Sequence, residues 1–233
     1  MSDAQIIAGL SRKHPQLGVE ASLWCHSAGK RAFDLLCAVP VLVAALPVML
    51  VIATVVKLTS DGPVLFRHRR LGVDGKEFSL LKFRTMTYKR RATGPAVTRA
   101  GDPRITPAGR LLRKWKLDEW PQLINVVRGD MSLVGPRPDA AEYLNTLPPE
   151  YRRVLRLRPG ITGAATIRLR HEEELLATVP IERLQEFYVT TLLPRKVRLD
   201  LEYATQASFF TDLALLFRTF AAIAAPASSH HSG

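Results

Sequence analysis

The feature that most limits what this chain can fold into is the uncharged run from Leu35 to Val56, bracketed by Lys30-Arg31-Ala32-Phe33-Asp34 and by Lys57. As a helix it is roughly 33 Å long at 1.5 Å per residue, close to the ~30 Å hydrocarbon thickness of a bilayer. It is too long and too far from the start for a signal-peptide core. The soluble alternative, a buried core helix, is disfavoured by length alone. Pro40 and Pro47 interrupt the run. Each removes a backbone donor and crowds the carbonyl four residues back. Both flanks are basic, with Arg12, Lys13, Lys30 and Arg31 before and Lys57, Arg67, Arg69 and Arg70 after. The positive-inside bias then puts both ends in the cytoplasm. A re-entrant helix that enters, bends near Pro47 and leaves by the same face satisfies both facts. Prolines also occur in true spanning helices, so the spanning reading stays open.

Charge narrows the partners. The 233 residues carry a formal net charge of +12, so anionic partners are expected: nucleic acid, anionic lipid or phosphorylated substrates. Nucleic acid is not supported, because aromatic stacking platforms and duplex-reading motifs are missing. The two cysteines, Cys25 and Cys37, do not make a disulfide framework. The six histidines have no zinc spacing.

Four segments are expected: a short leader over 1–29, the re-entrant membrane helix over 30–57, a catalytic domain over 58–220, and a disordered tail over 221–233. The catalytic domain reads as α+β, mainly helical, with a small β-hairpin. Val64-Leu65-Phe66 and Phe78-Ser79-Leu80-Leu81 flank Asp74-Gly75, a favoured hairpin pair. Tyr88 to Gly101 reads as a mobile basic loop. Thr106-Pro107 opens a helix with Ala108, Leu111, Leu112 and Trp115 on one face and Arg110, Arg113 and Lys114 off it. A second helix starts at Asp118-Glu119-Trp120-Pro121 and ends near Gly129. Pro136 and Pro138 enforce an extended segment. The stretch from Glu182 to Phe220 is expected to be helical with a break at Pro194. The apolar faces at Ala108–Trp115 and Phe209–Phe220 suit either a membrane interface or the domain core.

Chemistry concentrates in Lys116-Leu117-Asp118-Glu119-Trp120-Pro121-Gln122-Leu123. Adjacent carboxylates at a helix start lie among free backbone donors, at the positive end of the helix dipole. An ionised, oriented carboxylate there can attack phosphorus or hold a divalent cation. The plain alternative is a helix cap. Arg137, between Pro136 and Pro138, has a fixed backbone base for a phosphate-binding fork, unless the segment is only a surface turn. Lys82 and Arg84 add two cations after the second hairpin strand.

Taken together, KRAFD, DGPVLFRHRRLG, LLKFRTM, DPRITPAGRLLRKWKLDEWPQLINVVRGDMSLVGPRP, RPGITG and a looser YVTTLLPRKVRLDLEYATQASFFTDLALLFRT run in order from Lys30 to Thr219. In them the chain resembles the bacterial sugar transferase family, monotopic phosphoglycosyl transferases, in its small form without an extra four-helix membrane domain. The resemblance implies transfer of a sugar 1-phosphate from a UDP-sugar to undecaprenyl phosphate, in the inner (cytoplasmic) membrane with the catalytic domain on the cytoplasmic face. It implies Asp118 as nucleophile and Glu119 as its partner at Mg2+. It implies Lys82 and Arg137 as phosphate-contacting cations. Arg84, Glu142, Arg158 and Asp200 fall at further motif positions on the substrate side. Membrane lipid is the implied surroundings, and self-association stays open.

The chain also departs from the family. Leu46 stands where the family commonly has Ser before Pro47, and Pro40 is extra. After RPGITG, Ala164-Ala165-Thr166-Ile167-Arg168-Leu169-Arg170 replaces the usual Trp, Ala, Gln and later Asn-Gly-Arg. Arg170 takes the place of the family arginine, and the choice of sugar is what this change leaves open. Two other functions compete: a membrane-anchored nucleic-acid binder, suggested by charge alone, and an idle scaffold for glycan enzymes, which the Asp118-Glu119 pair argues against.

Overall fold

The computed structural model describes residues 20–87, 98, 101–138 and 151–224. Most of the leader, the basic loop, Glu142 and most of the tail lie outside them. After a 3-10 turn at Leu23–His26, helix α1 spans Ala28–Thr59. Ser27 caps it, its hydroxyl accepting from the Lys30 amide. Helical geometry runs through Pro40 and Pro47 without interruption, so the expected break near Pro47 is not seen. The helix covers the 30–57 segment and two further residues at each end.

One face of α1 packs on the domain along its whole length, through Lys30, Asp34, Ala38, Ala45, Met49, Ile52 and Val56. The opposite face exposes Leu36, Val43, Leu50, Val51 and Leu58. By length and composition this helix could cross a membrane. The two ends of α1 are both fastened to the same domain. At the start, Lys30 Nζ donates to the buried Asp212 at 2.6 Å, and Asp212 also accepts from Trp24 Nε1 at 2.9 Å and from the Tyr203 hydroxyl. Asp34 accepts from the Ser132 hydroxyl and the Leu133 amide, each at 3.0 Å. At the far end, Arg84 donates to the carbonyls of Val56 at 3.1 Å and Ser60 at 2.6 Å, and to that of Pro63. The Val56 and Ser60 carbonyls lie in the last turn and cap of the helix, where intrahelical partners run out.

Strands β1 (Leu65–Leu71) and β2 (Glu77–Phe83) form an antiparallel hairpin with Leu65 opposite Phe83. Asp74 and Gly75 both have positive φ, at 56° and 72°, as the tight turn demands. Helix α2 (Pro107–Lys114) starts at a Thr106 cap that accepts from the Gly109 amide. Gly109 has to be glycine: a Cβ there would sit 2.1 Å from the Thr85 carbonyl oxygen. Helix α3 (Gln122–Arg128) ends on Gly129 at φ 94°.

Two three-residue strands, β3 (Ser132–Val134) and β4 (Gly160–Thr162), pair in parallel. Sequence reading sees only an extended segment and a turn here, because three residues are too few to show a period. The rest is helical: α4 (Ala164–Arg168), α5 (Glu172–Ala177), α6 (Leu184–Phe187), α7 (Leu193–Gln206) and α8 (Phe209–Ala224). Pro194 does not break the helix. It sits in the first turn of α7, where its missing donor costs little, after a π-turn at Tyr188–Leu192. The break falls instead at Ala207-Ser208. The two apolar faces left open by sequence divide: Leu112 is buried while Leu111 and Trp115 are exposed, and α8 exposes Phe209, Phe210, Phe217 and Phe220.

Candidate active site

Lys82, the adjacent Asp118 and Glu119, and Arg137 come from three separate pieces of chain and line one cavity of about 280 Å3. Lys82 arrives by strand alternation: Leu81 and Phe83 on either side are buried, which turns Lys82 to the other face. The free edge of β2 is held by Asn125 of α3. Its Oδ1 accepts from the Leu81 amide at 3.0 Å and its Nδ2 donates to the Ser79 carbonyl at 2.9 Å. Asn125 is fully buried, so this amide ties the Lys82 strand to the segment carrying the carboxylates. Arg137 leaves the end of the β3 segment, between its two prolines.

Asp118 and Glu119 do not open α3. They lie in a separate 3-10 turn, Leu117–Glu119, and neither caps a helix with its side chain. The helix-dipole argument from sequence is therefore corrected: side-chain cations set the charge of the pair. Lys82 Nζ and Arg137 Nη2 both donate to Glu119 Oε1, at 3.0 and 2.7 Å. Burial works against ionisation of Glu119, but Arg137, Lys82 and Lys116 hold it well below the usual carboxylate range. Asp118 is pushed upward, first by burial and then by the Glu119 charge, with Lys82, Lys116 and Arg113 pulling it back. Burial lowers the Lys82 ammonium, against the attraction of Glu119. Glu119 raises Arg137 further. Asp118 Oδ1 is buried and has no hydrogen-bond partner among the described residues. An unsatisfied carboxylate oxygen inside a cavity lined by cations is poised for a ligand.

The other sequence candidates are distributed differently. Arg84 does not line the cavity; its guanidinium donates to carbonyls at and just beyond the end of α1. Arg170 is exposed, with Nε donating to His171 Nε2 at 2.9 Å, and does not line the cavity. Asp200 is buried and accepts from the Ala165 amide at 3.2 Å. With Arg137 it lines a second cavity of about 20 Å3, room for one water. Arg158 Nε is buried without a partner among the described residues. Arg110, Arg113, Lys114, Lys116 and Glu173 also line the main cavity and were not singled out from sequence. Their signal was the polar side of the Arg110–Lys116 segment, legible as a face but not as the face turned to the carboxylates. Arg113 Nη2 pairs with Glu173 Oε1 at 2.5 Å.

This arrangement brings two acids and several cations together in one cavity, on a domain with an apolar helix along its side. Comparison with known proteins gives the family. The family described as bacterial sugar transferase matches residues 25–226. A UDP-glucose:undecaprenyl-phosphate glucose-1-phosphate transferase of Caulobacter vibrioides is 40% identical over 196 residues, covering 82% of this chain and 67% of that protein. A protein of the same name from Escherichia coli is 40% identical over 199 residues, covering 82% of this chain and 39% of that protein. A UDP-N-acetylgalactosamine-undecaprenyl-phosphate N-acetylgalactosaminephosphotransferase of Aeromonas hydrophila is 39% identical over 143 residues, covering 59% of this chain and 33% of that protein. The chain thus spans well under half of two of these three relatives. It belongs to the bacterial sugar transferase family.

Proposed function

We propose that this protein transfers a sugar 1-phosphate from a UDP-sugar to undecaprenyl phosphate, as the first membrane step of polysaccharide or glycoconjugate assembly. The observation that carries the reading is the unpartnered Asp118 carboxylate beside Glu119, Lys82 and Arg137 in one cavity. An Asp118 oxygen attacks the sugar-bearing phosphorus. The bond from that phosphorus to the bridging oxygen breaks, and UMP leaves with the electron pair. An oxygen of the lipid phosphate then attacks the phosphorus of the aspartyl phosphosugar, and the Asp118 carboxylate departs. Two displacements at phosphorus return the protein to its starting state.

Lys82 and Arg137 sit where charge on phosphoryl oxygens would need neutralising, and Glu119 holds both cations in place. The resemblance also implies magnesium. Among the described residues no three His, Cys, Asp or Glu side chains converge as a self-sufficient metal cage. The residues present still fit this ion, which commonly takes one or two carboxylates and completes its shell with water and substrate phosphate. Among the described residues, Asp118 Oδ1 has no hydrogen-bond partner and Glu119 Oε2 has a long 3.5 Å contact to Arg137. When bound there, magnesium would offset charge on the diphosphate.

For the membrane, α1 is read as re-entrant. A spanning helix leaves its ends on opposite sides of ~30 Å of hydrocarbon. Here Lys30 at one end and the Arg84-capped carbonyls at the other belong to one domain. The exposed Leu111, Trp115 and α8 phenylalanines add apolar surface suited to the bilayer interface. The basic flanks support a domain on the cytoplasmic face of the inner membrane.

The test is UMP release from a panel of UDP-sugars with undecaprenyl phosphate and magnesium, in detergent or nanodiscs. Multiple-turnover release that requires both substrates with at least one sugar supports the reading. Salt-sensitive DNA binding with no release from any sugar contradicts it.

A further inference from the structure

The charges lining the main cavity divide into two sets. Asp118, Glu119 and Glu173 are three acids. Lys82 and Arg137 bond to Glu119, and Arg113 bonds to Glu173. Three lining cations remain: Arg110, Lys114 and Lys116. None of the three makes an ion pair or hydrogen bond to an acid among the described residues; Lys116 acts on Asp118 and Glu119 through its charge alone, and Lys114 lies over the Trp115 ring, 5.8 Å from its centroid. An excess of three positive charges on one wall of a catalytic cavity matches a doubly charged phosphate better than it matches bulk water.

The backbone adds an independent observation. Lys116 has φ 54°, in the left-handed region, two residues before Asp118. A lysine is strained there where glycine or asparagine would not be. Its carbonyl accepts from the Glu119 amide at 3.2 Å, so the strained turn also sets the direction of the catalytic pair. Strain of this kind persists where surrounding structure holds it, commonly at functional sites.

We infer that Arg110, Lys114 and Lys116 form a second phosphate subsite, separate from Lys82 and Arg137 and built on the α2 wall of the cavity. The inference rests on the transferase reading. Its ligand is a phosphate of either substrate: the diphosphate of the nucleotide-sugar or the phosphomonoester of the lipid. Leu111 of the same helix and Trp115 at its C-cap are exposed, so an amphiphilic phosphate arriving from the bilayer would meet apolar surface beside the cations.

The experiment separates charge from strain and donor from acceptor. Lys116→Gly removes the charge and relieves the backbone, so Tm should hold or rise while kcat/KM falls about five-fold or more. Lys116→Arg should recover most of that loss. Arg110→Gln/Lys114→Gln/Lys116→Gly together should lower kcat/KM about fifty-fold and flatten its dependence on salt. Labelled UMP exchange into the UDP-sugar without lipid reads the donor alone. Loss of exchange assigns the subsite to the diphosphate. Intact exchange with a raised KM for undecaprenyl phosphate assigns it to the acceptor. Exchange and transfer both within two-fold of wild type in the triple variant would overturn the inference and leave the transferase reading standing. A wild-type protein with neither exchange nor UMP release overturns both.

Discussion

Arg137 Nη2 donates to Glu119 Oε1 at 2.7 Å, and the same oxygen takes Lys82 Nζ at 3.0 Å. One carboxylate therefore fixes two cations from distant parts of the chain. Arg137→Ala is expected to lower kcat/KM by a loss of roughly 2–5 kcal/mol, because it removes one phosphate fork and leaves Glu119 under-paired. Arg137→Lys should restore only part, since an ammonium cannot make the planar, two-pronged contact. Steady-state kinetics with a UDP-sugar decide this. A kcat/KM near wild type in Arg137→Ala would mean that the Pro136-Arg137-Pro138 segment is only a turn.

Arg84 caps the carbonyls at the end of α1 and is nearly fully buried. Arg84→Ala should destabilise the protein by roughly 2–4 kcal/mol, since charged-donor hydrogen bonds to buried carbonyls are lost without replacement. Detergent-solubilised protein should show a lower Tm. Loss of activity at unchanged Tm would instead place Arg84 with the substrate.

How far the sequence reveals such roles depends on the kind of signal. The 22-residue uncharged run, the Asp74-Gly75 turn and the Thr106-Pro107 start are local signals, and the structure has an element at each. Arg84 and Lys82 lie two residues apart and look equivalent in sequence, yet one faces the cavity and the other caps a helix. Their neighbours come from residues far along the chain, which local reading cannot supply. Asp118 and Glu119 were legible as an adjacent pair of acids, but the source of their charge balance was not. It depends on Lys82 and Arg137 being brought across from β2 and β3. The short parallel pair β3–β4 and the π-turn before Pro194 have no local signature at all.

His68 is half-buried on β1, and burial, with Arg70 and Lys82 nearby, lowers it to about 4. The folded protein therefore binds this proton less readily than the unfolded chain, whose histidine titrates near 6.5. Stability associated with neutral His68 is present above pH 6.5 and is lost as pH falls toward 4. His68→Gln cannot take up that proton, so its Tm should gain on wild type as pH is lowered from 7 to 4.5. A constant Tm difference across that range would contradict the burial of an uncharged imidazole.

The re-entrant reading of α1 predicts Met1 and Gly233 on the same, cytoplasmic side. In a Cys25→Ser, Cys37→Ser background, Ser11→Cys and Ser229→Cys should both resist a membrane-impermeant thiol reagent in intact spheroplasts. Both should react after lysis. Pro47→Ala with Pro40→Ala should shift some molecules to a spanning state, because both interruptions to the backbone bonding of the helix are removed. Labelling at Ser11→Cys but not Ser229→Cys, with both prolines intact, would show that the helix spans.

The central claim is that Asp118 forms the bond to phosphorus, and isotope exchange measures it most directly. Wild-type protein with UDP-sugar, magnesium and labelled UMP, and no lipid acceptor, is predicted to move label into the UDP-sugar. Folded Asp118→Asn, shown by mass spectrometry not to have deamidated, is predicted to lose both exchange and overall transfer. Exchange at the wild-type rate in that variant would contradict the account.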